Sequence, residues 1–186
     1  MDDPATISDK QLLSPNIGLI CDAGAVQVSF RNNFNLQDGF DGGVLEVSYD
    51  DGLTFQDVLA AGGTFVLGGY NGTINSCCGN PLADRQAWTG NSGGFIDTTV
   101  SLPGGCLLQF MLRWRMGSDS GVSGEGWRID NVDITQALTL YRAGPRRRAS
   151  VRRRTRVRRR CDERRFVMTY SFLRKFLAAG FVPNRG

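Results

Sequence analysis

Nine arginines in three runs of three, Arg146, Arg147 and Arg148, then Arg152, Arg153 and Arg154, then Arg158, Arg159 and Arg160, have the type and spacing to bind phosphate. Each guanidinium can displace a counterion from a nucleic-acid backbone, so PRRRASVRRRTRVRRR (145–160) would bind RNA or DNA tightly, salt-sensitively and with little selectivity. No aromatic residue interleaves the run, so base readout has nothing to carry it. Elsewhere the chemistry narrows by elimination. The chain has no histidine, which removes Ser-His-Asp and Cys-His nucleophile activation, imidazole acid–base chemistry and histidine metal ligation. Its five cysteines (Cys21, Cys77, Cys78, Cys106 and Cys161) form no CxxC pair and hence no zinc pattern. Cys21 and Cys106 each precede an expected strand, leaving two readings open, a bridge between them or separate thiols. Carboxylate pairs alone can hydrolyse glycosides, but none stands out at one site, and the expectation is a protein that does not catalyse. Any bound metal must then be a hard cation held by oxygen ligands.

Charge divides the chain at Arg142. Up to Tyr141 there are 6 Lys+Arg against 16 Asp+Glu, net −10; from Arg142 onward there are 16 against 2, net +14, which together give the overall +4. We read residues 1–15 as an N-terminal extension, 16–141 as one domain and 142–186 as an Arg-rich tail. That domain is large enough to bury a core without metal or disulfide. Like charges repel along the tail and no apolar pattern opposes chain entropy, so disorder is expected there. Two origins for the tail stay open. It is either a genuine basic segment or an out-of-frame carboxyl terminus, because GC-rich codons read one nucleotide forward would give a Pro/Ala/Ser linker. In that shifted frame Met168 followed by any Thr codon reads as a stop. The amino terminus has no basic start followed by an apolar segment, and no stretch approaches a membrane span, so an export signal would have to lie upstream of this chain.

Period-two alternation supplies the elements. Val26, Val28 and Phe30 share one face of AVQVSFRNN; Leu108, Phe110, Leu112, Trp114 and Met116 share one face of LLQFMLRWRM, with Arg113 and Arg115 opposite. VLEVSY (44–49), TFQDV (54–58), QAW (86–88) and FIDTTVSL (95–102) add strand candidates separated by Gly, Asn, Asp and Pro, and Asp50-Asp51-Gly52 reads as a hairpin turn. In GWRIDNVDI the apolar phase slips between Ile129 and Val132, which predicts a β-bulge at Asp130 and Asn131 that keeps Trp127, Ile129, Val132 and Ile134 inward. Many short antiparallel strands without interleaved helices predict an all-β, two-sheet antiparallel sandwich of jelly-roll type.

The segments FNLQDGFDGGVLEVSYDDG (34–52), NPLADRQAWTGNSGGF (80–95), LQFMLRWRMGSD (108–119) and GEGWRIDNVDI (124–134) resemble a jelly-roll module of large secreted bacterial proteins. This module is similar to the MAM-like accessory domains of immune-inhibitor-A-type metalloproteases, and the likeness runs over nearly all of 12–136. The HExxH helix of the peptidase part is absent. The resemblance implies a non-catalytic extracellular binding or adhesion module of a larger secreted or surface protein, with a glycan, a protein surface or neighbouring domains as partner. It also implies a structural Ca2+ where the first and last strands meet. Asp130, turned outward by the bulge, is the first candidate ligand, with Asn35, Asp38 and Asp41 approaching from the segment after the first strand. The alternative is that these are turn and edge residues satisfying the backbone, and the acidic loop 117–126 with Asp119 and Glu125 reads as a solvated turn. Sugars stack on exposed aromatic planes; Trp114 and Trp127 fall in inward phases, leaving Trp88, with Arg85, as the candidate ligand platform, core packing being the alternative. The rival reading is a nucleic-acid-binding protein acting through the arginine runs.

Overall fold

Along the strand Gln109–Ser118 the burial alternates as the sequence predicts: Phe110, Leu112, Trp114 and Met116 are buried, while Arg113 and Arg115 point to the other face. The computed structural model describes residues 1–18, 23–104, 109–140 and 164–171, and these are all β, with antiparallel pairing and no helix among them. The strands are β1 (Ser8–Leu13), β2 (Ile17–Gly18), β3 (Ala23–Asn35), β4 (Gly42–Ser48), β5 (Gln56–Asp57), β6 (Thr64–Leu67), β7 (Gly72–Thr73), β8 (Gln86–Ala87), β9 (Ile96–Leu102), β10 (Gln109–Ser118), β11 (Gly126–Leu140) and β12 (Arg164–Ser171). One sheet runs β1-β10-β4-β5, with β2 also on β10; the other runs β12-β11-β3-β9-β6; β7 and β8 form a separate ribbon.

The two sheets share one apolar core. Val47, Leu112, Trp114 and Met116 come from the first sheet, and Val26, Val28, Phe30, Val100 and Ile134 from the second. Phe30 meets Trp114 and Trp88 edge-to-face at centroid distances of 5.6 and 5.8 Å, the favoured geometry for ring quadrupoles. β4 is buried along its whole length because its outer side is covered too: Val44 packs with Ile74, Leu82 and Ala87 from the long connection between β6 and β9. The bulge in β11 is present. Register shifts between Asp130 and Asp133, Asn131 has φ of 50°, and Trp127, Val132 and Ile134 are buried with Ile129 packed against the core. The hairpin turn also forms: Asp50 accepts hydrogen bonds from the Ser48 hydroxyl and from the Thr54 N–H and hydroxyl.

Two expected boundaries move. Residues 1–15 are no extension, since β1 pairs with β10 from Ser8↔Ser118 to Leu13↔Arg113 and Arg115 grips Asp9 with two bonds of 2.7 and 2.8 Å. Nor does all of the basic tail hang free. Arg164–Ser171 pairs with β11 from Leu140↔Arg164 to Asp133↔Ser171, because a sheet edge with unpaired backbone groups accepts a strand whatever the charge upstream. The nine arginines of 146–160, and Cys21, Cys106 and Cys161, lie outside the described residues.

Candidate metal centre

Residues 1–7 run back across the end of the second sheet. The Met1 nitrogen donates to the Trp127 carbonyl at 2.7 Å and the Trp127 N–H donates to the Met1 carbonyl at 2.8 Å. Gly126 makes that approach feasible, because its φ of 88° is costly for other residues and a Cβ there would collide with the Met1 carbonyl. The Ser118 hydroxyl donates to the Thr6 carbonyl at 2.9 Å, and Lys10 Nζ donates to the Asp2 carbonyl at 2.6 Å. Asp3 is thereby delivered into the fold beside Asp41, which stands just before β4, and Asp119, which follows β10.

All three carboxylates are buried: Asp3 is 3 % exposed, Asp41 1 % and Asp119 5 %. Asp3 Oδ2 accepts the Gly124 N–H at 3.0 Å, Asp41 Oδ1 accepts the Asp119 N–H at 2.7 Å, and Asp119 Oδ1 accepts the Gly121 N–H at 2.5 Å. The second oxygens of the first two, Asp3 Oδ1 and Asp41 Oδ2, have no hydrogen-bond partner. A buried acceptor left unpaired is costly, and a charged one more so. Burial, together with the neighbouring charges of Asp3 and Asp119, pushes the Asp41 carboxyl up to about 6 against the pull of the Asp119 N–H. Asp3 is raised as well, chiefly by burial.

Two things can relieve such a pair. Below about pH 6 a proton held by Asp41 can serve Asp3; a bound cation would do the same for the ionised pair. Among the described residues no three acidic or cysteine side chains already stand at metal-ligand spacing. The centre is therefore the pair Asp3 and Asp41, with Asp119 close enough to repel both. Other oxygens lie around it. Gln37 Oε1 accepts the Val122 N–H at 3.1 Å, and both Gln37 Oε1 and Asp119 Oδ1 flank Gly121; the Asn35 carbonyl and Asp3 Oδ2 flank Gly124. An all-oxygen donor set of carboxylate, amide and backbone carbonyl suits Ca2+, and the orphaned oxygens fit it.

Of the predicted ligands only Asp41 has its side chain here. Asn35 borders the centre by its carbonyl, against Gly124. Asp38 is exposed and lies beside Gly90. Asp130 is exposed, and its Oδ1 accepts the N–H of Asn131 at 2.8 Å, so the bulge turns it onto its own backbone four residues up β11 from Gly126. Asp3 and Asp119 were the missed partners: one sat in the supposed extension, the other in a loop that reads as a solvated turn.

The expected ligand platform is instead part of the core, the alternative reading for Trp88. Trp88 is fully buried; its Nε1–H donates to the Gly68 carbonyl at 3.0 Å, and Tyr70, Phe65 and Trp127 surround it at centroid distances of 4.7, 5.6 and 5.6 Å. Arg85 is committed to Glu46 at 2.6 Å and Asp57 at 2.9 Å. An acceptor for the indole N–H and two carboxylates for the guanidinium leave neither side chain free for a ligand. Compared with protein-family models and with curated proteins, the chain matches none.

Proposed function

We propose that this chain is a non-catalytic binding or adhesion module of jelly-roll, MAM-like type, part of a larger secreted or surface bacterial protein and held in shape by calcium. The observation that carries this reading is the pair of orphaned, buried oxygens, Asp3 Oδ1 and Asp41 Oδ2, on two carboxylates whose other oxygens bind the Gly124 and Asp119 N–H groups of the loop leading into β11. Asp3 and Asp41 would hold the ion, with Asp119, Gln37 and the Asn35 carbonyl as neighbouring oxygens. A hard divalent cation supplies charge compensation there and no bond-making step. Sites of this kind in extracellular modules bind calcium with dissociation constants of about 0.1–1 mM, which suits a protein that works outside the cell.

The partner is a glycan or protein surface. The test is binding of the full chain to a panel of polysaccharides and surface proteins at physiological salt, in calcium and in chelator, with free RNA as competitor. Saturable binding that needs calcium and ignores RNA is the expected result. Binding confined to nucleic acid and abolished by raised salt would overturn it in favour of the arginine-run reading, and turnover of a glycoside would overturn the non-catalytic assignment.

A further inference from the structure

Cys77 and Cys78 are adjacent in sequence and joined by a disulfide, and both are exposed. A disulfide removes unfolded-state entropy in proportion to the logarithm of the loop it closes, and a bridge between neighbours closes the shortest loop there is. Its effect is therefore local. Cys78 has φ of 73° and Gly79 φ of 80°, two successive left-handed residues, the first of them not glycine. An L-residue with a side chain is held there only by its surroundings, and here the ring closed by the two sulfurs constrains it.

The loop reaches all three segments that carry the buried carboxylates. Gly79 lies so close to Ile7, four residues after Asp3, that an added Cβ would stand 2.9 Å from Ile7 Cδ1. Asn80 is buried; its Nδ2 donates to the carbonyl of Phe40, next to Asp41, at 2.6 Å, and its Oδ1 accepts the Leu82 N–H at 2.7 Å. Asn80 Oδ1 also crowds Gly117, two residues before Asp119, where no Cβ would fit.

We propose that Cys77–Cys78 is a thiol–disulfide exchange site whose reduction loosens this loop and lowers the affinity of the Asp3 and Asp41 centre for calcium. The coupling rests on the cation reading above; the exchange site does not. The reductant is a low-molecular-weight thiol or dithiol. Its thiolate attacks one protein sulfur, the S–S bond breaks, and the other sulfur leaves as a thiolate that takes a proton. A second thiolate displaces the mixed disulfide, so the cysteine pair gains two electrons and two protons while the reductant becomes its own disulfide. Cys78 is then free to leave the left-handed region, and Gly79 and Asn80 lose the geometry that seats them on Ile7, Phe40 and Gly117.

The experiment uses the full chain. Alkylation before and after mild dithiol treatment, with peptide mass mapping, reads the exchange site; calcium titration of the oxidised and the reduced-and-alkylated protein reads the coupling. Cys77 and Cys78 should label only after reduction, and calcium affinity should fall about fivefold or more. The Cys77→Ser, Cys78→Ser double variant should bind calcium with the weaker affinity whether or not reductant is present. Labelling of both cysteines without reductant, or pairing of either with another cysteine, would overturn the exchange site. Equal calcium affinity in the two states would overturn the coupling. Absence of calcium binding by the oxidised protein would refute the cation reading and the coupling with it, while the labelling alone would still decide the exchange site.

Discussion

Asp41 and Glu46 lie five residues apart, just before β4 and within it, and both carboxylates are buried, yet their surroundings are opposite in sign. Glu46 meets Arg85 at 2.6 Å and Arg113 at 2.5 Å, with Arg115 at 3.8 Å, and those guanidiniums are tied in turn to Asp57 and Asp9. Arg113 also lies 4.1 Å above the Phe55 ring, and the Tyr70 hydroxyl donates to Asp57 at 3.0 Å. Among the described residues Asp41 meets other carboxylates, Asp3 and Asp119, and backbone N–H groups. One buried charge is neutralised by side chains of the chain itself. The other meets no cationic side chain among the described residues, and that contrast is what motivates reading it as a place for a cation.

The largest effect expected from breaking this contrast is at the self-neutralised end. Glu46→Ala leaves Arg85 and Arg113 facing each other without their shared carboxylate and should cost about 3 kcal/mol, equally in calcium and in chelator, by denaturant unfolding. A stability loss that calcium restores would erase the distinction between the two regions. At the other end, Gly126→Ala forces a Cβ into φ of 88° and onto the Met1 carbonyl, displacing the segment that delivers Asp3. It should cost about 2 kcal/mol and weaken the calcium response at the same time.

The two regions also differ in their response to pH. Asp41 titrates at about 6 in the folded chain against an ordinary value of 3.8, so between those values the folded state holds more protons than the unfolded one. Stability in chelator should therefore fall as pH rises from about 4 to about 6 and then level off; calcium should flatten or reverse the slope, because the ion takes the place of the proton. Asp50 is held at about 2, first by the Thr54 hydroxyl and N–H, so its contribution is present above 3.8 and is lost only as pH falls toward 2. Denaturation curves at stepped pH separate the two windows, and a chelator profile flat from pH 4 to 6 would remove Asp41 from the account. The smallest effect belongs to the bulge: Asp130→Asn should change stability by less than about 0.5 kcal/mol and leave the calcium response intact.

What the sequence disclosed and what it hid follow from the same physics. β3, β9 and β10 were legible because each buries one face, and a half-buried strand must alternate; the β11 slip was legible because a bulge is the only way to keep four apolar residues inward across it. β1 was not legible, since Ser8–Leu13 is an edge strand whose alternation is between half-buried and exposed positions. β12 was hidden among arginines, and β6 is only four residues long. The double burial of β4 depends on Ile74, Leu82 and Ala87, which sit in a connection rich in Gly, Asn and Cys with no period to read. Trp88 is buried for the same reason, its N–H partner being the Gly68 carbonyl in a loop. At the candidate site Asp41 stood out in the sequence and Asp3 did not, because Asp3 joins Gly124 across 121 residues, a contact no local pattern encodes.

The central claim, that Asp3 and Asp41 face each other in order to hold a calcium ion, is tested most directly by thermal unfolding of the wild-type chain and of Asp41→Asn, each in saturating calcium and in chelator. At calcium a hundredfold above its dissociation constant the wild type should gain about 2.7 kcal/mol, a rise in Tm of roughly 5–10 °C. Asp41→Asn should lose that rise while being no less stable than wild type in chelator, because it removes a like charge. Superimposable wild-type curves with and without calcium, or an Asp41→Asn chain that keeps the full shift, would contradict the account.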